Sequence, residues 1–215
     1  MWHMIRGTRI LEGEEARNYR NLLETLRNCA KLYGYSEIIV PAMWETQTFI
    51  DKAGPEIVNQ LYAFKDKGDR DICLIPEVTA IIQEQYRQHW EKSLPKPIRI
   101  FYEARCYRYE RPQAGRYREF TQFGVELLGG KSPDDAKEVQ DMLNGIFEQF
   151  GTNLKYNFDD QVKRGLHYYV EDGFEASVES LGAQKQIAGG GRYAEGIGWA
   201  IGVDRMLLAL ENGKK

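Results

Sequence analysis

Across residues 11–33, apolar or aromatic side chains recur at Tyr19, Leu22, Leu23, Leu26, Ala30 and Tyr33, the spacing of one helix face turned towards a core. Gly34 is placed to end that helix. Residues 37–41 read as a strand whose proline, Pro41, removes an amide donor, so pairing stops there or the strand lies at an edge. A second helix is expected from about 79 to 90, with Ile81, Ile82, Tyr86 and Trp90 on one side. Residues 98–102 and 106–110 read as two strands, and Arg111-Pro112-Gln113-Ala114-Gly115 has the composition of a turn before the next strand.

Residues 120–128 alternate cleanly. Thr121, Phe123, Val125 and Leu127 point one way, while Phe120, Gln122, Gly124, Glu126 and Leu128 point the other. Gln122 and Glu126 therefore share a face, and Gly124 between them is expected to leave bare backbone where a ligand can lie. Ser132-Pro133-Asp134-Asp135 has the pattern of a helix start, with a capping serine and proline at the first helical position. Its helix carries Ala136, Val139, Met142, Leu143, Ile146, Phe147 and Phe150, and stops at Gly151. Short strands at 154–158 and 174–178, a flexible Gly189-Gly190-Gly191, and a last helix with Val203, Met206, Leu207 and Leu210 inward complete the pattern. Strands cluster instead of alternating with helices. The expected fold class is α+β, a mostly antiparallel sheet flanked by helices, with residues 1–215 as a single domain.

Composition narrows the function classes. The 42% hydrophobic and 28% charged content suits a globular chain, and no apolar run approaches the roughly 20 residues of a membrane span. The start, Met1-Trp2-His3-Met4-Ile5-Arg6, lacks a secretory apolar segment, so a cytoplasmic location is expected. Cys29, Cys73 and Cys106 are odd in number and far apart, which favours buried thiols over disulfides or zinc. His3, His89 and His167 form no pair at metal-ligand spacing, so no side-chain metal cluster is expected. A net charge of −3 argues against a broad electrostatic nucleic-acid surface but permits a local basic patch. Residues 101–126 hold such a patch in Arg105, Arg108, Arg111, Arg116 and Arg118. An isolated Arg/Glu alternation is ordinarily the wet face of an edge strand. Here it adjoins Gln122 and Glu126, an arrangement suited to an anionic nucleotide beside a small cationic ligand.

Tyr107-Arg108-Tyr109-Glu110-Arg111-Pro112, Gly115-Arg116-Tyr117-Arg118-Glu119-Phe120, Gln122 and Glu126 resemble motif 2 of class II aminoacyl-tRNA synthetases in its histidyl form. Pro76-Glu77-Val78-Thr79 is similar to that family's amino-acid-binding loop, and Arg164-Gly165-Leu166-His167-Tyr168-Tyr169 to its histidine signature. Gly189-Gly190-Gly191-Arg192-Tyr193 resembles the glycine-rich strand, Gly202-Val203-Asp204-Arg205 resembles motif 3, and residues 33–41 resemble motif 1, which builds the family's dimer interface. A triple glycine alone says little, but these stretches occur in the family's order. The resemblance covers nearly the whole chain but only the catalytic core. The family's inserted module and anticodon-binding domain have no counterpart, and the roughly 35 residues between Gly129 and Arg164 leave no room for the insertion.

The resemblance implies ATP-dependent activation of histidine to histidyl-adenylate, with tRNA as the acyl acceptor, Mg²⁺ on the phosphates, and a homodimer. It assigns Arg108 and Arg164 to catalysis at the α-phosphate and carboxylate, Glu110 to the adenine amino group, Arg116 to the outer phosphates and Arg205 to the γ-phosphate. Glu77, Thr79 and Gln122 would hold the substrate ammonium, and Glu126 with Tyr168 or Tyr169 the imidazole. Ordinary structural roles stand beside these: Glu77 as a helix opener, the tyrosine pair as packing, and Arg164 and Arg205 as surface charges. Three positions depart from the family pattern: Ile75 for arginine, Val78 for glycine and His167 for aspartate. His167 is expected to turn away from Tyr168. Two alternatives remain, a histidine-sensing paralogue such as the ATP phosphoribosyltransferase regulatory subunit, and a ligase with a non-tRNA acceptor.

Overall fold

The computed structural model describes residues 3–151, 154, 156–163, 166–182 and 185–213, without the side chains of residues 53, 55 and 56. The strands in chain order are β1 Ser36–Ile38, β2 Met43–Glu45, β3 Tyr62–Lys65, β4 Asp71–Leu74, β5 Ile98–Tyr107, β6 Glu119–Leu128, β7 Asn157–Val162, β8 Gly173–Ser177, β9 Gln186–Tyr193 and β10 Gly196–Gly202. Seven form one sheet in the order β1-β5-β6-β10-β9-β8-β7, and β2-β4-β3 form a smaller antiparallel one. Among the strands of the described residues only β1 pairs in parallel, at the edge beside β5, which agrees with the pairing limit read from Pro41.

Helix α1 (Gly13–Leu32) buries the predicted Tyr19, Leu22, Leu23, Leu26 and Ala30, and ends at Gly34, whose φ of 80° suits a residue without Cβ. With α6 (Asp134–Glu148) and α7 (Val203–Gly213) it covers one face of the large sheet, around Phe101, Phe123, Val125, Leu127 and Trp199. Each such side chain contributes about 1.5–3 kcal/mol by leaving water. The opposite face carries Ile98, Ile100, Tyr102, Ala104, Cys106 and Leu128, and packs on α4 (Thr79–Gln85), Phe49, Cys73 and Ile75. The period-two alternation of β5 and β6 thus feeds two separate cores, and all three cysteines are buried free thiols. Between these elements lie α2 (Thr46–Ala53), α3 (Pro55–Val58) and α5 (Glu91–Ser93), the last reached from α4 through a π-helical turn at Tyr86–Trp90. No helix among the described residues is long and apolar enough to cross a membrane.

Several local expectations are corrected. The two strands expected at 98–102 and 106–110 are one, because Ile98–Tyr107 pairs residue for residue with β6 and ends before Arg108. The strand expected at 154–158 begins at Asn157. Ser132 is not a cap: Pro133 holds the N-cap position without a side-chain bond, and Asp135 Oδ1 instead accepts the Ala136 amide at 2.7 Å. Gly189-Gly190-Gly191 is buried mid-strand, not flexible; a Cβ on Gly190 would meet the Phe174 ring and the Trp199 Cβ at 2.7 Å. Absent side chains here permit close packing of β8, β9 and β10.

Asp204 ties the last helix to the sheet. Its Oδ2 accepts the Thr121 amide at 2.8 Å and its Oδ1 accepts from Arg9 at 2.6 Å. Because Asp204 is buried, Asp204→Ala strands the Thr121 amide and leaves the Arg9 guanidinium with Glu15 as its one remaining carboxylate among the described residues. A loss of roughly 2–4 kcal/mol is expected in urea unfolding, with a smaller loss for Asp204→Asn, which keeps an acceptor.

Candidate functional site

The face of the sheet opposite α1 has an unusual floor. Gly198, Ala200 and Gly202 of β10 stand beside Glu126, Gly124 and Gln122 of β6, while Gly191 and Gly189 of β9 flank Gly198 and Ala200. With almost no side chains on that part of β9 and β10, a cavity of about 750 Å³ opens over the strands. The signal was present in residues 196–202, where Gly196, Gly198, Ala200 and Gly202 alternate with Ile197, Trp199 and Ile201. Small residues on one strand face carry no chemistry of their own, so this pattern marks a ligand floor only once its neighbours on β6 and β9 are known.

Glu126 lies at the floor, 1% exposed. Its Oε1 accepts from the Thr79 hydroxyl and its Oε2 from the Tyr193 hydroxyl, both at 2.7 Å. Burial pushes its carboxyl up to about 8, against the pull of those two donors. Tyr193 was quoted in the glycine-rich segment but not foreseen as the phenol on Glu126. Tyr168 and Tyr169 stack obliquely with centroids 4.7 Å apart, and Tyr168 meets Tyr193 edge-on at 6.1 Å. Gly198 is dictated by this geometry, since a Cβ there would collide with Glu126 Oε2 and the Val125 carbonyl. Gly198→Ala is expected to cost at least about 1–3 kcal/mol by overpacking and to displace the Glu126 carboxylate, measurable by thermal melting.

The expected bare patch over Gly124 is not bare. The Tyr102 ring fills it so closely that a Cβ on Gly124 would collide with the phenol. Gly124 therefore serves packing, and the open floor lies over β10 instead.

Glu77 is 3% exposed and does open α4, its Oε1 accepting the Ala80 amide at 3.0 Å, yet it also lines the cavity. Burial raises its carboxyl, offset by the Ala80 amide and the charge of Arg108. Gln122 accepts weakly from the Cys106 thiol at 3.4 Å. Ile75 and Val78 are fully packed into the second core. His167 is exposed, its ring against Gly54 and outside the cavity lining, which agrees with the expected orientation.

Of the five clustered arginines, Arg108 and Arg116 line the cavity, joined by Arg205 from α7. Arg108 donates through Nε to the Pro76 carbonyl at 2.9 Å and lies 5.3 Å from the Phe120 ring centroid. Arg116 pairs with Glu110. Burial lowers Arg116 and Arg205, and repulsion adds to it: Arg108 acts on Arg116, and Arg116 on Arg205. Arg105 instead pairs with Glu119, and Arg118 lies 4.1 Å from the Tyr109 ring centroid. Arg164 lies outside the described residues. Every other residue assigned from sequence, namely Glu77, Thr79, Arg108, Glu110, Arg116, Gln122, Glu126, Tyr168, Tyr169 and Arg205, borders this one cavity.

For Mg²⁺, no group of three His, Cys, Asp or Glu side chains among the described residues could hold an ion. Glu175 does line the cavity, which fits an ion bound by a single carboxylate with substrate phosphates and water as its other ligands.

An antiparallel sheet with one parallel edge strand, flanked by helices and presenting arginines and acids over its floor, is the catalytic architecture of class II aminoacyl-tRNA synthetases. Apo Staphylococcus aureus histidyl-tRNA synthetase superposes over the whole chain and 71% of its own length, with a TM-score of 0.82 and 30% identity. A family model described as Histidyl-tRNA synthetase matches residues 7–153. This chain belongs to the histidyl-tRNA synthetase family.

The histidine–tRNA ligase of Saccharolobus solfataricus is 45% identical over 184 residues, spanning 78% of this chain and 43% of that protein. That of Natranaerobius thermophilus is 28% identical over 310 residues, spanning 96% of this chain and 74% of its own length. The alignment is longer than the 215 residues here, so that relative carries segments with no counterpart in this chain. A structure titled ATP phosphoribosyltransferase regulatory subunit/histidyl-tRNA synthetase, from Bacillus halodurans C, shares the fold at a TM-score of 0.82 and 16% identity, over 98% of this chain and 83% of its own.

Proposed function

We propose that this chain activates histidine with ATP, forming histidyl-adenylate and pyrophosphate, and that tRNA is the final acceptor. The observation that carries the reading is the convergence of Arg108, Arg116 and Arg205 on the cavity whose floor holds buried Glu126 and whose wall holds buried Glu77. Arg116 is already met by Glu110, but repulsion from Arg108 onto Arg116 and from Arg116 onto Arg205 persists, and the several charges of a triphosphate would answer all three guanidinium groups at once.

In the proposed step a histidine carboxylate oxygen attacks the α-phosphorus. The bond from that phosphorus to the bridging oxygen of the β-phosphate breaks, and pyrophosphate leaves with the electron pair. Arg108, fixed by Pro76, holds the carboxylate and the α-phosphate. Arg116 and Arg205 hold the outer phosphates, and Glu110 faces the adenine amino group. Glu77, Thr79 and Gln122 take the α-ammonium, while Glu126, Tyr168 and Tyr169 enclose the imidazole. Arg164 enters the proposal on its place in the histidine signature. Mg²⁺, when bound, would neutralise phosphate charge. The exposed apolar side chains of Tyr33 and Ile39, on the segment resembling motif 1, are where we place a homodimer contact.

Purified protein is expected to exchange labelled pyrophosphate into ATP only with histidine present, and to charge tRNA. Exchange without charging would point to another acceptor. Histidine binding with neither exchange nor ATP binding would replace this reading with that of a sensing paralogue.

A further inference from the structure

The segment ahead of α1 is bonded to the loop between β5 and β6, which carries Arg108, Glu110 and Arg116. The Thr8 amide and hydroxyl both donate to the Ile5 carbonyl, at 3.1 and 2.8 Å, so residues 5–8 close into a β-turn. Gly7 is its third residue, at a φ of 89°, the left-handed value that type II turns reserve for glycine. Its carbonyl accepts the Arg118 amide at 2.7 Å, and the Arg118 carbonyl accepts the Arg108 amide at 2.9 Å. One peptide unit thus links the surface turn to the cation proposed for the α-phosphate. Further along, the Arg9 guanidinium is tied to Glu15 and Asp204 and lies 4.5 Å from the ring centroid of Tyr117, which follows Arg116 in the chain and borders the cavity.

The contact is tight at Gly7. A Cβ there would meet Arg118 Cγ at 2.7 Å, and Arg118 Cδ and Pro112 Cγ at 2.9 Å, so any other side chain must push the loop away or break the turn. The loop does not hold itself in place. Gln113 and Arg116 exchange backbone bonds at 3.1 and 2.9 Å, which shapes the tip without tying it to the sheet. The buried acid at the other end of the cavity is held separately, Glu126 by Thr79 and Tyr193. Among the described residues none from 3 to 10 borders the cavity, so this segment acts on a ligand only through the loop.

We infer that residues 5–9 are a strap that sets the position of the arginine-bearing loop over the cavity, and that Gly7 is a positioning residue for triphosphate binding by Arg108 and Arg116. The inference rests on the nucleotide reading of those arginines proposed above. Isothermal titration of the full chain with ATP and magnesium chloride, and separately with histidine, tests it. Gly7→Ala should weaken ATP binding by about 5–30-fold, the effect of one strained left-handed residue displacing the loop. Histidine binding should stay within about twofold, because its groups are held apart from the strap. Thr8→Val, which keeps the side-chain shape but removes the hydroxyl bond to Ile5, should weaken ATP binding by about 2–10-fold and carries the test if Gly7→Ala does not fold. In the exchange assay both variants should raise the KM for ATP and not that for histidine. A parent chain that binds no ATP would overturn the nucleotide reading and the strap with it. ATP binding that is present in the parent and unchanged in the folded variants, or weakened equally with histidine binding, would overturn the strap alone.

Discussion

Arg108→Ala is expected to reduce histidine-dependent pyrophosphate exchange by roughly 10²–10³-fold, while unfolding stability changes by no more than about 1 kcal/mol. The two halves of this expectation have different causes. Arg108 is held from behind by the Pro76 carbonyl at 2.9 Å, so its guanidinium is positioned before any ligand arrives. Preorganised charge of this kind acts most strongly on a transition state that spreads negative charge over phosphate oxygens. Stability moves little because the bond to Pro76 is only part-buried, and its loss with that of the attraction for Glu77 is partly offset by relief of solvent-screened repulsion on Arg116, which burial and Arg108 hold below its ordinary value. Arg108→Lys should not restore exchange, since an ammonium lacks the planar fork that spans carboxylate and phosphate. Exchange assays beside thermal melts separate the outcomes. Near-native exchange by the alanine variant would remove Arg108 from the proposed chemistry.

Glu126→Gln should weaken histidine binding by about 10–100-fold and, at alkaline pH, make the ligand-free protein more stable. Its carboxyl is raised to about 8 in the folded chain from an ordinary value of 4.5, chiefly by burial. Between those values the folded state retains a proton that the unfolded state has released. Stability therefore falls as pH rises from about 4.5 to about 8, and the full penalty applies above that. Glutamine, which does not ionise, removes this contribution. Glu77 is raised in the same direction and keeps part of the slope in the variant. Urea unfolding at pH 5 and pH 8.5 should show a smaller decline for Glu126→Gln than for the parent chain. Identical declines would mean that Glu126 does not titrate as its burial implies. A carboxylate held at such cost, with Thr79 and Tyr193 on its oxygens and a side-chain-free floor beside it, is better suited to meeting a ligand than to holding the sheet together.

The amino-acid sequence by itself determined the elements with strong periodicity and the residue types of the site. Helix α1 and strand β6 follow from local spacing, because a helix face and a strand face repeat at fixed intervals whatever lies around them. Motif order likewise marked Arg108, Glu77, Glu126 and Arg205 before any contact was known. Tertiary structure alone decided what those residues meet. Whether Gly124 is bare depends on Tyr102, 22 residues away and one strand across, and no local pattern records that neighbour. The same holds for Tyr193 on Glu126, for the rigid glycines of β9, and for the continuity of β5 through residues 103–105. Each depends on pairing between segments distant in the chain, where packing and hydrogen bonding across the sheet outweigh the intrinsic preference of glycine for turns.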